Sequence, residues 1–192
     1  MNVATYMRRD PDTLPDDTSL AEVKQFMEEK GYGLLLVVDS GGALKGFITR
    51  GALKEVKDWE IPVGDVCFEA RFAVSKSDTL EKAALILLEN RLVLLPVVDS
   101  GQLVGVITQG DILLGLARAL GIGLEGTRMT VRLRQGPDDV YKVLAVLREA
   151  GVRLISMVHG SSYENDREVI FRLQEISDKE GVRAELEAAL RG

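Results

Sequence analysis

Hydrophobic and polar positions alternate between a helical and a strand period along this chain, and they do so in a repeating order. Leu20, Val23 and Met27 fall on one face of a helix, as do Leu80, Ala83, Ala84, Leu87 and Leu88. Ser19 with Glu22, and Asp78 with Glu81, have capping-box spacing, in which side chains satisfy the free amides of a helix start. The runs LLLVVD and LLPVVD that follow are short and rich in Leu and Val, which predicts buried strands. Ser-Gly-Gly and Ser-Gly-Gln turn the chain into second strands, LKGFIT and LVGVIT. Short helices are expected from about Gly51 and Asp111, and short strands near Thr13 and Ala73. Each unit therefore reads β-α-β-β-α.

The two units are copies. LLVVDSGGALKGFITRGAL (Leu35–Leu53) returns as LPVVDSGQLVGVITQGDIL (Leu95–Leu113), with Asp39 mapping onto Asp99 and Thr49 onto Thr108. Upstream, Asp16–Val23 matches Lys76–Ala83, and Val3–Met7 matches Val63–Cys67 weakly. Two copies of a long unit predict a paired domain rather than a solenoid. Neither copy alone has much core, so face-to-face pairing is expected.

The repeat stops at Gly121. Gly121, Gly123 and Gly126 read as a linker. GIGLEG spells a dinucleotide fingerprint, but that fingerprint needs a strand before it and a helix after it, and here the predicted order is reversed. From Thr127 a third unit begins. Met129, Val131 and Leu133 alternate with Thr130, Arg132 and Arg134 as in a half-buried strand. Val140, Val143, Leu144 and Leu147 make a helical face, with Gly151 suited to its C-terminal cap. VRLISMV and REVIFRL read as a hairpin around SSYEND, and a final helix runs from about Asp178 to Leu190. This unit is βαββα. The expected boundaries are 1–62, 63–121, a linker at 122–127, and 128–192. The fold class is α/β (α+β): paired β-α-β-β-α units followed by a βαββα ferredoxin-like domain.

Composition narrows the chemistry. The 192 residues are 46% hydrophobic and 28% charged, enough to bury a core. The net charge of −6 argues against nucleic-acid binding as the main task, although discrete anion sites remain open. The longest apolar run, Leu92–Val98, is far below the ~20 residues that span a bilayer, and MNVATYMRRDPD is not read as a signal peptide. A cytoplasmic protein without membrane partners is expected. One cysteine (Cys67) and one histidine (His159) exclude an internal disulfide and any multi-cysteine or multi-histidine metal site. With no base placed beside either residue, acid–base or thiol catalysis is not expected.

The segments VVDSGGALKGFIT and PVVDSGQLVGVIT carry a resemblance to a tandem pair of cystathionine β-synthase (CBS) domains, a Bateman module, over about Val3 to Gly121. The third unit resembles an ACT domain, and the combination resembles the acetoin-utilisation B group of CBS–ACT proteins. The resemblance implies a non-enzymatic regulatory protein that binds an adenine ligand (AMP, ADP, ATP or S-adenosylmethionine) as effector, usually as a homodimer.

It also implies the site. In the family motif G-h-x-[ST]-x-x-D the aspartate accepts hydrogen bonds from both ribose hydroxyls, while the threonine meets ribose or phosphate oxygens near a helix start. GVITQGD (Gly105–Asp111) fits fully; GFITRGA (Gly46–Ala52) has Ala52 where the carboxylate belongs. Because each family site is shared between units, the intact one would comprise Thr5, Tyr32, Gly33, Val106, Thr108 and Asp111. The degraded one would comprise Asp65, Leu92, Val93, Phe47, Thr49 and Ala52.

Other readings stay open. Asp111 also fits a helix N-cap, which by itself stabilises by roughly 1 kcal/mol. Thr5 can fix the N-terminal segment, and Tyr32 can pack at a helix end. Arg8, Arg9 and Arg50 can meet phosphates or simply face solvent. The CBS pair can be a ligand-free interaction or dimerisation module. The third unit can sense an amino acid, although in the turn RQGPDDV Gly136 and Pro137 are reversed relative to the ACT pattern, and the family's final strand is not found.

Overall fold

The computed structural model describes residues 1–134, 138–162 and 164–191. They fall into two compact units, Met1–Gly115 and Leu116–Gly192. The division lies a few residues before the expected linker, inside one continuous helix.

In the first unit a short helix α1 (Val3–Tyr6) precedes β1 (Thr13–Pro15), α2 (Leu20–Lys30), β2 (Leu34–Val38) and β3 (Leu44–Thr49). The second copy supplies α3 (Leu80–Asn90), β4 (Leu94–Asp99), β5 (Gln102–Thr108) and α4 (Gln109–Ala119). Ser19 starts α2 with the expected reciprocal capping box, its hydroxyl accepting from the Glu22 amide while Glu22 accepts from the Ser19 amide. The second copy departs from expectation. Thr79, not Asp78, caps α3, its hydroxyl accepting from the Lys82 amide. Asp78 instead accepts from the Ser75 amide and pairs with Lys82 at 2.8 Å, which holds its carboxyl below the usual range. Thr79 is the true counterpart of Ser19, and its third helical residue is a lysine with no carboxylate to reciprocate.

Both hairpins bulge at the same place, between Val37 and Val38 and between Val97 and Val98. The Asp39 carboxylate holds the first turn by accepting from the Gly41 and Ala43 amides, both at 2.9 Å. β1 runs parallel to β2, but its counterpart is only one bridge, Val74 to Val97. Leu20, Val23 and Met27 of α2 are buried, as are Leu80, Ala83 and Leu87 of α3. Leu88, expected on the buried face, is exposed.

The two copies exchange their leading segments. Val3 donates to the Asp78 carbonyl and Ala4 to that of Lys76; symmetrically, Val63 donates to Thr18 and Gly64 to Asp16. Arg8 then forms a two-bond bridge with Val106, and Phe68 forms the same bridge with Phe47. Both crossings pass over a glycine. A Cβ on Gly105 would sit 2.6 Å from the Arg8 carbonyl oxygen, and one on Gly46 would run into that of Phe68. The motif glycines are therefore steric requirements of the exchange. The expected boundary at 62/63 cuts the sequence repeat, whereas each folded half is completed by the other's leading segment.

The second unit holds β6 (Thr127–Arg134), α5 (Asp138–Glu149), β7 (Leu154–Ser162), β8 (Asp166–Leu173) and α6 (Lys179–Arg191). Its antiparallel sheet has the order β6-β8-β7, the ferredoxin-like 1-3-2 arrangement. Leu133, Phe171 and Leu173 of the sheet, Val143 and Leu147 of α5, and Val182 and Leu186 of α6 share one core. Both helices therefore lie on one face of the sheet. Gly136 and Pro137 of the expected turn lie outside the described residues, as does Tyr163 of the hairpin loop. No described helix is long and apolar enough to cross a membrane.

Candidate functional site

At the junction of β5 and α4 the chain reads Thr108-Gln109-Gly110-Asp111. The Thr108 hydroxyl accepts from the Asp111 amide at 3.2 Å, and Asp111 Oδ2 takes the Thr108 amide at 3.0 Å and its hydroxyl at 2.5 Å. This is a reciprocal capping box with Thr108 as the cap and Asp111 in its third helical position. The expectation that Asp111 is itself the N-cap is corrected, because α4 begins two residues earlier, at Gln109.

That geometry commits one carboxylate oxygen and leaves the other turned outward. Oδ1 meets Arg8 Nε at 3.1 Å, and the Arg8 side chain is 66% exposed against 13% for Asp111. Arg8 is delivered by the segment exchange, since its backbone is pinned to Val106. Burial pushes the Asp111 carboxyl up, but the hydrogen bonds from Thr108 and the Arg8 guanidinium outweigh it, so the group is held below its ordinary value.

Beside this pair opens a cleft of about 360 Å³, walled by Leu34, Leu36, Leu94 and Val106 and edged by Arg8, Arg9, Tyr32 and Thr108. An apolar wall with a few convergent polar groups is what small-molecule sites present, and the size lies at the small end of their range. The Tyr32 hydroxyl donates to Asp12 at 2.6 Å, a bond that raises the Tyr32 pKa.

Of the six expected site residues, Tyr32, Val106 and Thr108 line the cleft, and Asp111 touches two of its wall residues. Thr5 lies on α1 with its hydroxyl donating to Asn2 at 2.7 Å, and Gly33 offers its carbonyl to the Arg50 amide; neither is in the cleft wall. Arg50 is not a phosphate ligand in this arrangement, because its guanidinium donates to the Met27 and Tyr32 carbonyls. Gln109 repeats that contact in the second copy by donating to the Leu92 carbonyl. Arg8 and Asp12 also line the cleft and are not among the six; Arg8 is one of the three arginines read as able to meet a phosphate. Extending the weak Val3–Met7 match by one position would have set Arg8 against Phe68.

The counterpart site differs where the charges sit. Thr49 still accepts from the Ala52 amide at 3.2 Å, but Ala52 returns nothing, and the segment makes only a 3₁₀ turn, Ala52–Glu55. Phe68 takes the place of Arg8, its ring 5.6 Å from that of Phe47. An ion pair in one half is replaced by an aromatic contact in the other.

Residues 3–57 and 63–118, together more than half of the chain, match the CBS domain. The structure is similar to CBSX2 of Arabidopsis thaliana in complex with AMP (27% identity, TM-score 0.56, 61% of this chain and 96% of that one). It is also similar to a CBS domain pair/ACT domain protein from Thermotoga maritima (26%, TM-score 0.56, 62% and 99%). Inosine-5'-monophosphate dehydrogenase of Methanocaldococcus jannaschii is 34% identical over 145 residues, 74% of this chain and 29% of that enzyme. The aligned stretch spans about a third of the length of the curated relatives it matches. With two matched copies that exchange their leading segments around a shared cleft, this chain belongs to the CBS-domain family.

Proposed function

We propose that this protein is a regulatory sensor that binds one adenine nucleotide or adenosine derivative per chain, in the cleft between Tyr32 and Thr108. The observation that carries this reading is the divided state of the Asp111 carboxylate. Oδ2 is fixed by Thr108, whereas Oδ1 is held, among the described residues, by the exposed Arg8 side chain. A ribose offers two hydroxyl donors that can replace Arg8 at Oδ1, and the released guanidinium then stands where it can meet a phosphate. The apolar walls suit the base. AMP in CBSX2 supports an adenine ligand for a cleft of this kind.

The role we read is regulatory: the cleft offers binding contacts for a small molecule. The 1-3-2 sheet with both helices on one face supports reading the second unit as an ACT-like domain. Its β7 edge, where Leu154 and Met157 stand exposed, suits contact between two copies in a homodimer. Titration calorimetry of the full chain with AMP, ADP, ATP and S-adenosylmethionine tests the reading. Saturation at one site per chain by at least one of the four is expected, and no binding by any of them overturns it.

A further inference from the structure

The second unit has a face that nucleotide sensing does not use. β6 pairs with β8 on one side only, and among the described residues no strand lies along its other edge. Beside that edge runs a groove of about 430 Å³ bounded by α6. Consecutive residues of β6, from Thr127 to Arg132, line it, so the groove follows the strand's own backbone rather than one of its faces. Its floor is apolar: Met129 and Val131 from the strand, Val182 and Leu186 from the helix. Its rim carries four cations, Arg128, Arg132, Lys179 and Arg183, and one carboxylate, Glu187, which pairs with Arg183 at 3.1 Å; the rim is therefore basic on balance, in a chain whose net charge is −6.

From these features we infer that the β6–α6 groove is a docking site for an extended acidic segment of another protein, which adds a strand to the sheet. Half the backbone groups of an edge strand point away from its partner, so an incoming strand gains roughly eight hydrogen bonds along an eight-residue edge. Strand addition of this kind takes affinity from the backbone and specificity from alternate side chains. Here alternate residues meet an apolar floor, and those between them meet cations, which selects a segment alternating apolar with acidic.

A second copy of β6 is a poor occupant. Its sequence, TRMTVRLR, has no carboxylate, and antiparallel pairing would set arginine near arginine. Homodimer contact at β7 leaves this edge available.

Fluorescence anisotropy of the full-length protein with a labelled peptide of about nine residues, alternating valine and glutamate, tests the proposal. The glutamate peptide is expected to bind at least about ten-fold tighter than the same peptide with lysine. Arg128→Glu with Lys179→Glu should reverse that order, and the milder Arg128→Gln with Lys179→Gln should remove it if the first pair misfolds. Hydrogen exchange should show peptide-dependent protection at β6. Absence of binding, equal binding of the two peptides, protection at β7 instead, or concentration-dependent protection of β6 without peptide would each overturn the inference.

Discussion

The two CBS copies share a strand pair, a bulge position and a crossing segment over glycine, yet they end differently. One closes on Thr108-Gln-Gly-Asp111 and continues as an eleven-residue helix; the other closes on Thr49-Arg-Gly-Ala52 and makes a four-residue 3₁₀ turn. The threonine does the same work in both, accepting the amide three residues on. What differs is the returning carboxylate, and with it the cation that the exchanged segment brings. Charge is present at both Arg8 and Asp111, which touch, and absent from the equivalent positions, Phe68 and Ala52. The duplicated fold thus holds an ion pair in one half and an aromatic contact in the other without losing the backbone exchange.

The largest way to break this contrast is Asp111→Ala, which makes the second copy resemble the first. Loss of two charge-assisted hydrogen bonds to a ribose should weaken binding by about 100-fold, corresponding to roughly 3 kcal/mol. The reciprocal cap is lost as well, at a cost of about 1 kcal/mol in stability. Calorimetry and denaturant unfolding read the two effects separately. Binding that survives undiminished would remove Asp111 from the site.

Asp111→Asn sharpens the distinction between capping and binding. The amide oxygen can still accept from Thr108, so stability at neutral pH should fall by no more than about 0.5 kcal/mol, whereas affinity should fall by about ten-fold. The variant also isolates a pH dependence. The Asp111 carboxyl is held below its ordinary value in the folded protein, so its ionised form stabilises the fold. That contribution is complete above the ordinary aspartate range and is lost as pH falls through the lower, folded value. The stability gap between wild type and Asp111→Asn should therefore be widest at neutral pH and shrink in acid. Unfolding curves at pH 7 and at pH values below about 4 check the sign.

Much of this architecture is legible in the sequence, because it rests on local signals that repeat. The period-3.6 faces, the Leu/Val runs and the turn glycines each appear twice, and the second appearance removes the ambiguity of a single short apolar run. Thr108 and Asp111 are legible for the same reason. Arg8 is legible only as a cation able to meet a phosphate; its place beside Asp111 is not, because that depends on a backbone bridge to Val106 nearly a hundred residues away, in a stretch where the copies have diverged. Thr5 differs from both: its position suggests the cleft, and its hydroxyl donates to Asn2 at the start of α1. The capping frame at Asp78 misleads by one residue, since two consecutive polar residues both suit a helix start and spacing alone does not choose between them.

Ala52→Asp approaches the same contrast from the other side. Restoring a carboxylate three residues after Thr49 should complete the reciprocal box and stabilise the protein by about 1 kcal/mol, lengthening the 3₁₀ turn toward a helix. It should not by itself create a second ligand site, because the residue equivalent to Arg8 is Phe68 and not an arginine. Denaturant unfolding checks the gain, and a stoichiometry still at one ligand per chain checks the second claim. A rise to two ligands would mean that the carboxylate alone distinguishes the halves.

The smallest expected effect, and the one whose direction depends on the ligand, belongs to Arg8→Ala. In the unliganded protein the Arg8 guanidinium competes with ribose for Oδ1, so its removal frees the acceptor. The pair is largely solvent-exposed on the arginine side, so the competition is worth well under about 1 kcal/mol. A ligand without phosphate should therefore bind the variant slightly tighter, by about two-fold. A ligand with phosphate loses the cation that replaces its counterions and should bind a few-fold weaker, with a shallower dependence on salt. Stability should change little, because Oδ2 keeps both Thr108 contacts and the backbone bridge to Val106 does not involve the side chain. Parallel titrations with adenosine and AMP at two salt concentrations separate the two directions. If both affinities fall together, Arg8 positions Asp111 rather than competing for it, and the exchanged segment's contribution to the cleft is structural.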